Sequence, residues 1–137
     1  AMPGFEGDSS RGLPPNVYRP EDTQNFTALL AEFRRQLDAV GQETGKHYQL
    51  SIAAPAGKSQ YEKIELDKIH PYLDHINVMT YDMHGTWEAT GPTNFHAPLY
   101  SSSADPSPRG GTSVDSTLTA YLKRGVPANK LVMGLPF

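Results

Sequence analysis

The 137 residues contain no cysteine. A disulfide framework, a thiolate metal site and a thiol nucleophile are therefore excluded, and the redox compartment stays open. Positive charge is sparse and scattered: 12 lysines and arginines stand against 15 aspartates and glutamates, a net charge of −3 with no basic run. Without a clustered cationic face, nucleic acid and anionic membrane have no electrostatic claim as partners. No apolar stretch approaches the ~20 residues that span a bilayer, and the first residues lack the basic and apolar regions of a signal peptide. Ala1 ahead of Met2 reads as a cloning scar before a native start. What is present describes a globular chain: 37% hydrophobic residues and 20% charged, with 12 glycines and 12 prolines that imply long, ordered loops. The length suits one domain, and a complete domain of that size buries roughly two-thirds of its unfolded surface.

Residues 1 to 19 show no apolar periodicity and read as a loop. Pro20 suits a first helical position and Glu21 and Asp22 put negative charge in a first turn. Phe26, Leu29, Leu30, Phe33, Leu37 and Val40 then recur at helical spacing. The pattern predicts a helix over about 20 to 40, ended by Gly41 or Gly45 in the left-handed conformation. Tyr48, Leu50 and Ile52 alternate with Gln49, Ser51 and Ala53 until Pro55 stops the ladder, which predicts a strand over 48 to 54. A short helix is expected around 64 to 72, with Pro71 near its end, and a strand over 75 to 82. A Gly-, Pro-, Ser- and Thr-rich loop from 83 to 112 is too long for a bare connector, which points to function or poor order. Thr112 or Ser113 caps a third helix to about Lys123, Gly125 terminates it, and NKLVMGLPF is a last strand. Strands alternating with amphipathic helices predict an α/β fold with three parallel strands and about three helices. The near-continuous apolar character of the last two strands predicts a sheet covered on both faces. Both outer edges of so small a sheet are exposed, so homo-oligomerisation through them is expected.

The candidate chemistry lies where INVMTYDMHG passes from an apolar run to a phenol, a carboxylate and an imidazole. Asn77, Met79 and Tyr81 share one strand face, and Asp82 sits at the strand's carboxyl end. Taken from the residues alone, Tyr81 is a tyrosine whose hydroxyl meets a core polar partner, and Asp82 a turn-forming or helix-capping aspartate. Trp87, the sole tryptophan, either stacks on a ligand ring or covers the loop's own small core. His84 and His96 with Asp82 or Glu88 lack metal-ligand spacing and read as solvated loop histidines, so no metal site is expected. His47, His70 and His75 read as surface or packing residues. Ser101, Ser102 and Ser103 offer no nucleophile elbow and no catalytic partner set for serine hydrolysis, and read as loop.

The segments YRPEDTQNFTALLAEFRRQL, LSIAAPAG, INVMTYDMHG, HAPLY and LVMGLPF resemble, in that order, bacterial family 18 glycoside hydrolases, the chitinases. The most specific element is the family's M-x-Y-D motif, here Met79, Thr80, Tyr81 and Asp82. The resemblance covers nearly the whole chain and implies a partial TIM (β/α)8 barrel, from the loop after its fourth strand through its seventh. A full barrel takes ~250 residues, so residues 1 to 137 amount to about half of one catalytic domain.

The resemblance also implies a reaction, retaining hydrolysis of β-1,4 N-acetylglucosamine linkages in which the substrate's acetamido oxygen is the nucleophile and one carboxylic acid protonates the leaving oxygen. It implies supporting catalytic roles for Tyr81, on the acetamido group, and Asp82, which contacts the sugar and tunes the acid. It assigns Met79, Thr80, Tyr81, Asp82 and Trp87 to substrate binding, needs no cofactor, and makes chitin or its oligosaccharides the partner and secretion the expected localisation. The family's catalytic D-x-x-D-x-D-x-E signature occurs nowhere in the 137 residues. Little or no chitinase activity is therefore expected of the chain alone. The alternatives are a binding module that holds chitin through Tyr81, Asp82 and Trp87, or a remnant without ligand function.

Overall fold

The structure, a computed structural model, describes residues 2–7, 12–107 and 112–137. The residue read as a cloning scar, and the parts of the two expected loops at 8–11 and 108–111, lie outside the described residues. The described amino-terminal residues, 2–7 and 12–19, are irregular. Asn16 N–H donates to the Glu6 carbonyl at 2.9 Å, and the Lys63 ammonium reaches the Gly4 carbonyl at 2.8 Å.

Helix α1, Asp22–Thr44, starts after Pro20 and runs past the expected end. Gly45 is the residue that stops it, at φ 70°, and its N–H donates to the Gly41 carbonyl at 2.8 Å. Gly41 lies inside the helix instead of ending it. A Cβ there would stand 2.6 Å from the Lys46 carbonyl oxygen, so the small residue admits the chain folding back over the last turn. Only Leu30 of the apolar stripe is buried, while Leu29, Phe33 and Val40 remain open along one side.

Strand β1, Ser51–Pro55, begins later than predicted, and Pro55 is its last rung, level with Met79, instead of the residue beyond the ladder. The predicted helix at 64 to 72 is broken. Helix α3, Leu66–Ile69, tightens into a 3-10 turn at His70–Tyr72, because Pro71 has no N–H to continue the α ladder. An additional short helix, α2, Lys58–Tyr61, precedes it and raises the α-helices among the described residues to four. Strand β2, His75–Met79, stops before Thr80, whereas the sequence predicts strand to Asp82. Helix α4, Val114–Lys123, opens on a capping box: Ser116 N–H donates to Ser113 Oγ at 3.1 Å and Ser113 N–H to Ser116 Oγ at 2.8 Å. Strand β3 is only Leu131–Met133, shorter than the expected NKLVMGLPF.

The three strands are parallel in the order β1-β2-β3, with Ile52 level with Ile76 and Asn77 level with Val132. One face, built from Ile52, Ala54, Ile76 and Val78, is buried with Leu30, Leu66, Ile69, Leu73 and Tyr121 into a single core. The other face is open: Ser51, Ala53, Asn77 and Val132 are exposed. Coverage of both faces is thus not what the structure shows. In a closed barrel this second face looks inward, toward strands that are not among these 137 residues. Among the described residues no helix is long and apolar enough to cross a membrane.

Asp74 locks the amino ends of β1 and β2 together. Its carboxylate accepts the Leu50 N–H at 2.7 Å, stands 2.6 Å from His47 Nε2 and 3.4 Å from Arg34, and its own N–H donates to the Leu50 carbonyl at 2.8 Å. The Leu50 N–H foremost, then the His47 imidazole and the Arg34 guanidinium, hold the carboxyl below its usual range. A depressed folded value means stabilisation that is complete above the unfolded value of about 3.9 and lost as the pH falls through the folded one. Asp74→Asn is accordingly expected to lose about 1.5–3 kcal/mol at neutral pH, the worth of a charge-assisted bond. It should also flatten the acid limb of a stability-against-pH curve measured by urea denaturation.

Candidate active site

The carboxyl ends of β1 and β2 open onto a depression of 920 Å3 whose wall includes Pro55, Ala56, Met79, Tyr81, Asp82 and Trp87. Its volume falls within the range of small-ligand sites. Beyond Met79 the chain tightens, with Thr80 N–H donating to the Val78 carbonyl at 2.9 Å and Tyr81 N–H to the Met79 carbonyl at 2.8 Å. Thr80 is fully buried and its hydroxyl donates to the Gly134 carbonyl at 2.7 Å. Gly134 N–H in turn donates to the Val78 carbonyl at 2.9 Å, tying the segment after β3 to the end of β2. Tyr81 lies against that same glycine. A Cβ on Gly134 would stand 2.8 Å from Tyr81 Cε1 and 2.7 Å from the Val78 oxygen, so only glycine lets the ring lie there.

Asp82 adopts φ 55°, unusual for a residue with a side chain, and this turn delivers its carboxylate to the mouth of the depression. The carboxylate is 64% exposed and 3.7 Å from His96 Nδ1. Trp87 is 62% exposed and lies over Gly85, where a Cβ would come within 2.4 Å of the indole. Of its two sequence-level readings, cover for a small loop core is not what the exposure shows. Met79, Tyr81, Asp82 and Trp87 thus converge on one depression, whereas Thr80 braces the wall from behind.

His84 differs from its reading as a solvated loop residue. It is 8% exposed, with Nδ1 3.1 Å from a Glu88 carboxylate oxygen and Nε2 3.3 Å from the Asn94 amide nitrogen. Asn94 also donates to Asp105 at 2.8 Å. The Ser107 N–H foremost, then the Ser107 hydroxyl, Asn94 and His84, keep the Asp105 carboxyl below its usual range. Periodicity says nothing about burial inside a loop, so this cluster left no trace in the pattern. Nor did the support behind the end of β1. Tyr121 and Thr117 of α4 donate their hydroxyls to the carbonyls of Pro55 at 2.7 Å and Ala56 at 3.3 Å, fixing the exit from β1. Among the described residues no group of three or more histidine, aspartate or glutamate side chains is placed to hold a metal.

A short parallel sheet with its helices on one face, and polar side chains at the strands' carboxyl ends, is the arrangement of a segment of a (β/α)8 barrel. The profile described as Glycosyl hydrolases family 18 matches residues 5–137, and the chain belongs to that family. It is 44% identical over 137 residues to Chitinase A1 of Niallia circulans, covering 97% of this chain and 19% of that protein. A solved chitinase from Bacillus thuringiensis superposes with a TM-score of 0.88 at 44% identity, over 99% of this chain and 21% of the other. A second solved relative is the Group II chitinase catalytic domain 2 of Ostrinia furnacalis, an E-to-L mutant in complex with a chito-oligosaccharide. It has a TM-score of 0.76 at 30% identity, over 88% of this chain and 29% of the other. The chain spans only about a fifth to a third of these relatives, and its three strands are part of their TIM barrel.

Proposed function

We propose that the chain forms one wall of a chitinase cleft, and that it positions N-acetylglucosamine units without cleaving them unaided. The observation that carries this reading is the convergence of Tyr81, Asp82, Met79 and Trp87 on one depression, in a sequence without the family's D-x-x-D-x-D-x-E signature. The solved relative bound to a chito-oligosaccharide supports the substrate class. In this reading the substrate's acetamido oxygen attacks its own anomeric carbon, and the Tyr81 hydroxyl donates to the acetamido group as charge develops. The exposed Asp82 carboxylate contacts the sugar and tunes the acid. Trp87 offers an apolar ring face for stacking. Glu88, the other carboxylate on the depression, is engaged by His84. The proton for the leaving oxygen has to come from an acid supplied by further barrel strands.

Two measurements test this. The purified chain should show no turnover of chito-oligosaccharides, and enzyme-like rates would overturn the reading. Titration with N-acetylglucosamine oligomers, followed by Trp87 fluorescence, separates a wall that still binds from one that needs its counterpart. We favour the latter, so no response below millimolar sugar is expected. The open sheet face with Asn77 and the 42% exposed Val132 favours a second property, self-association that covers it. A single monomer peak in size-exclusion with light scattering would refute that.

A further inference from the structure

We infer that His84 and Glu88 are positioning residues that clasp the turn carrying Trp87, holding the indole against the depression before any sugar arrives. The turn itself is short. Glu88 N–H donates to the Gly85 carbonyl at 3.0 Å, so Trp87 occupies the third position of a four-residue turn. The Glu88 carboxylate then reaches back across the turn to the Gly85 N–H at 3.3 Å and to His84 Nδ1 at 3.1 Å. A carboxylate only accepts, so Nδ1 carries the proton. Nε2 lies 3.3 Å from the Asn94 amide nitrogen, whose two hydrogens are also shared with Asp105 at 2.8 Å and the Ser107 hydroxyl at 3.1 Å. His84 is therefore held chiefly through Nδ1 and nearly buried, while the residue it serves is exposed. Asp82 and His96 lie on the other side of the strand exit, where Met83 N–H donates to the His96 carbonyl at 2.9 Å.

The physical reason for such a clasp is entropic. A tryptophan with most of its surface in water samples several rotamers, and fixing it on ligand binding costs rotameric entropy. Seating the ring on Gly85 within a turn closed by two side chains meets that cost during folding. The inference rests on Trp87 being a wall of the cleft, yet its test needs no sugar, so its failure is visible apart from a failure to bind chitin. Because Trp87 is the only tryptophan, its near-UV circular dichroism band and its fluorescence anisotropy report this side chain alone.

In the 137-residue chain, His84→Ala and Glu88→Ala should each reduce the tryptophan band by about half or more and lower the anisotropy, as the ring gains rotameric freedom on the nanosecond scale. Gly85→Ala should do the same with the clasp intact, by displacing the ring. Glu88→Gln keeps an acceptor facing both the imidazole and the Gly85 N–H, and should restore the wild-type signals, an outcome that loss of fold cannot mimic. Far-UV dichroism should be unchanged in Glu88→Ala, whose parent side chain is 36% exposed. Should His84→Ala fail to fold, the Glu88 pair decides. Unaltered tryptophan signals in Glu88→Ala, or a Glu88→Gln variant indistinguishable from it, would overturn the inference.

Discussion

Truncating Tyr121 to alanine is expected to destabilise the chain by about 3–5 kcal/mol, the usual loss for a large buried aromatic ring. The side chain is completely buried at the junction of α4 with the exit from β1. Its ring meets Tyr61 edge to face, with centroids 5.6 Å apart and planes at 69°, and the Arg124 guanidinium covers the opposite partner 4.9 Å from the Tyr61 centroid. Burial pushes the phenol far above its ordinary acidity range, so it remains a donor to the Pro55 carbonyl at any ordinary pH. Two contributions can therefore be separated. Tyr121→Phe keeps the ring and leaves the buried Pro55 oxygen without that donor, at about 1–3 kcal/mol. Tyr121→Ala adds the cavity. Against a typical domain stability of about 5–15 kcal/mol, the alanine variant gives up a large share, visible as a lowered urea midpoint. An alanine variant within about 1 kcal/mol of wild type would show that α4 is not what holds the end of β1.

The parts of the fold that the sequence discloses are those where periodicity and packing agree. Ile52, from the alternating pattern, lies with Ala54 on one buried face, and Gly45 and the Ser113 cap stand where chain chemistry requires a helix to stop or start. Disagreements arise where a local rule meets a tertiary one. Pro55 needs no N–H on its edge-strand rung, so the ladder includes it. The open sheet face follows a similar logic: Ile76 and Val78 are apolar for the core, but their neighbour Asn77 lies on the exposed face. Thr80 belongs to the M-x-Y-D motif, yet it is fully buried and its hydroxyl donates to the Gly134 carbonyl, 54 positions away. His84 and Tyr121 are no more legible. One is buried by contacts inside a loop, and the other acts on a carbonyl 66 positions away, which no window of sequence contains.

Joining these 137 residues, which carry no D-x-x-D-x-D-x-E pattern, to a strand that carries one should produce the largest functional change. A chimera that places this chain between the strands a complete family 18 enzyme carries before and after it, including the D-x-x-D-x-D-x-E strand, closes the sheet and brings a carboxylic acid to the depression. General acid help is worth about 10²–10⁴-fold, so hydrolysis of chito-oligosaccharides is expected to rise at least that far above the chain alone. Closure contributes further by excluding water and fixing the substrate against Tyr81, since orientation effects multiply chemical ones. Within such a chimera, Tyr81→Phe should lower kcat by about 10²-fold, as expected for one donor aimed at developing charge. KM should change little, because the lost bond strengthens chiefly in the transition state. Gly134→Ala should mimic it in part, since a methyl group there displaces the Tyr81 ring from the Val78–Gly134 contact without removing its hydroxyl. A folded chimera without turnover would refute the proposed role of this wall. A Tyr81→Phe chimera as fast as its parent would instead spare the wall and remove the phenol from the chemistry.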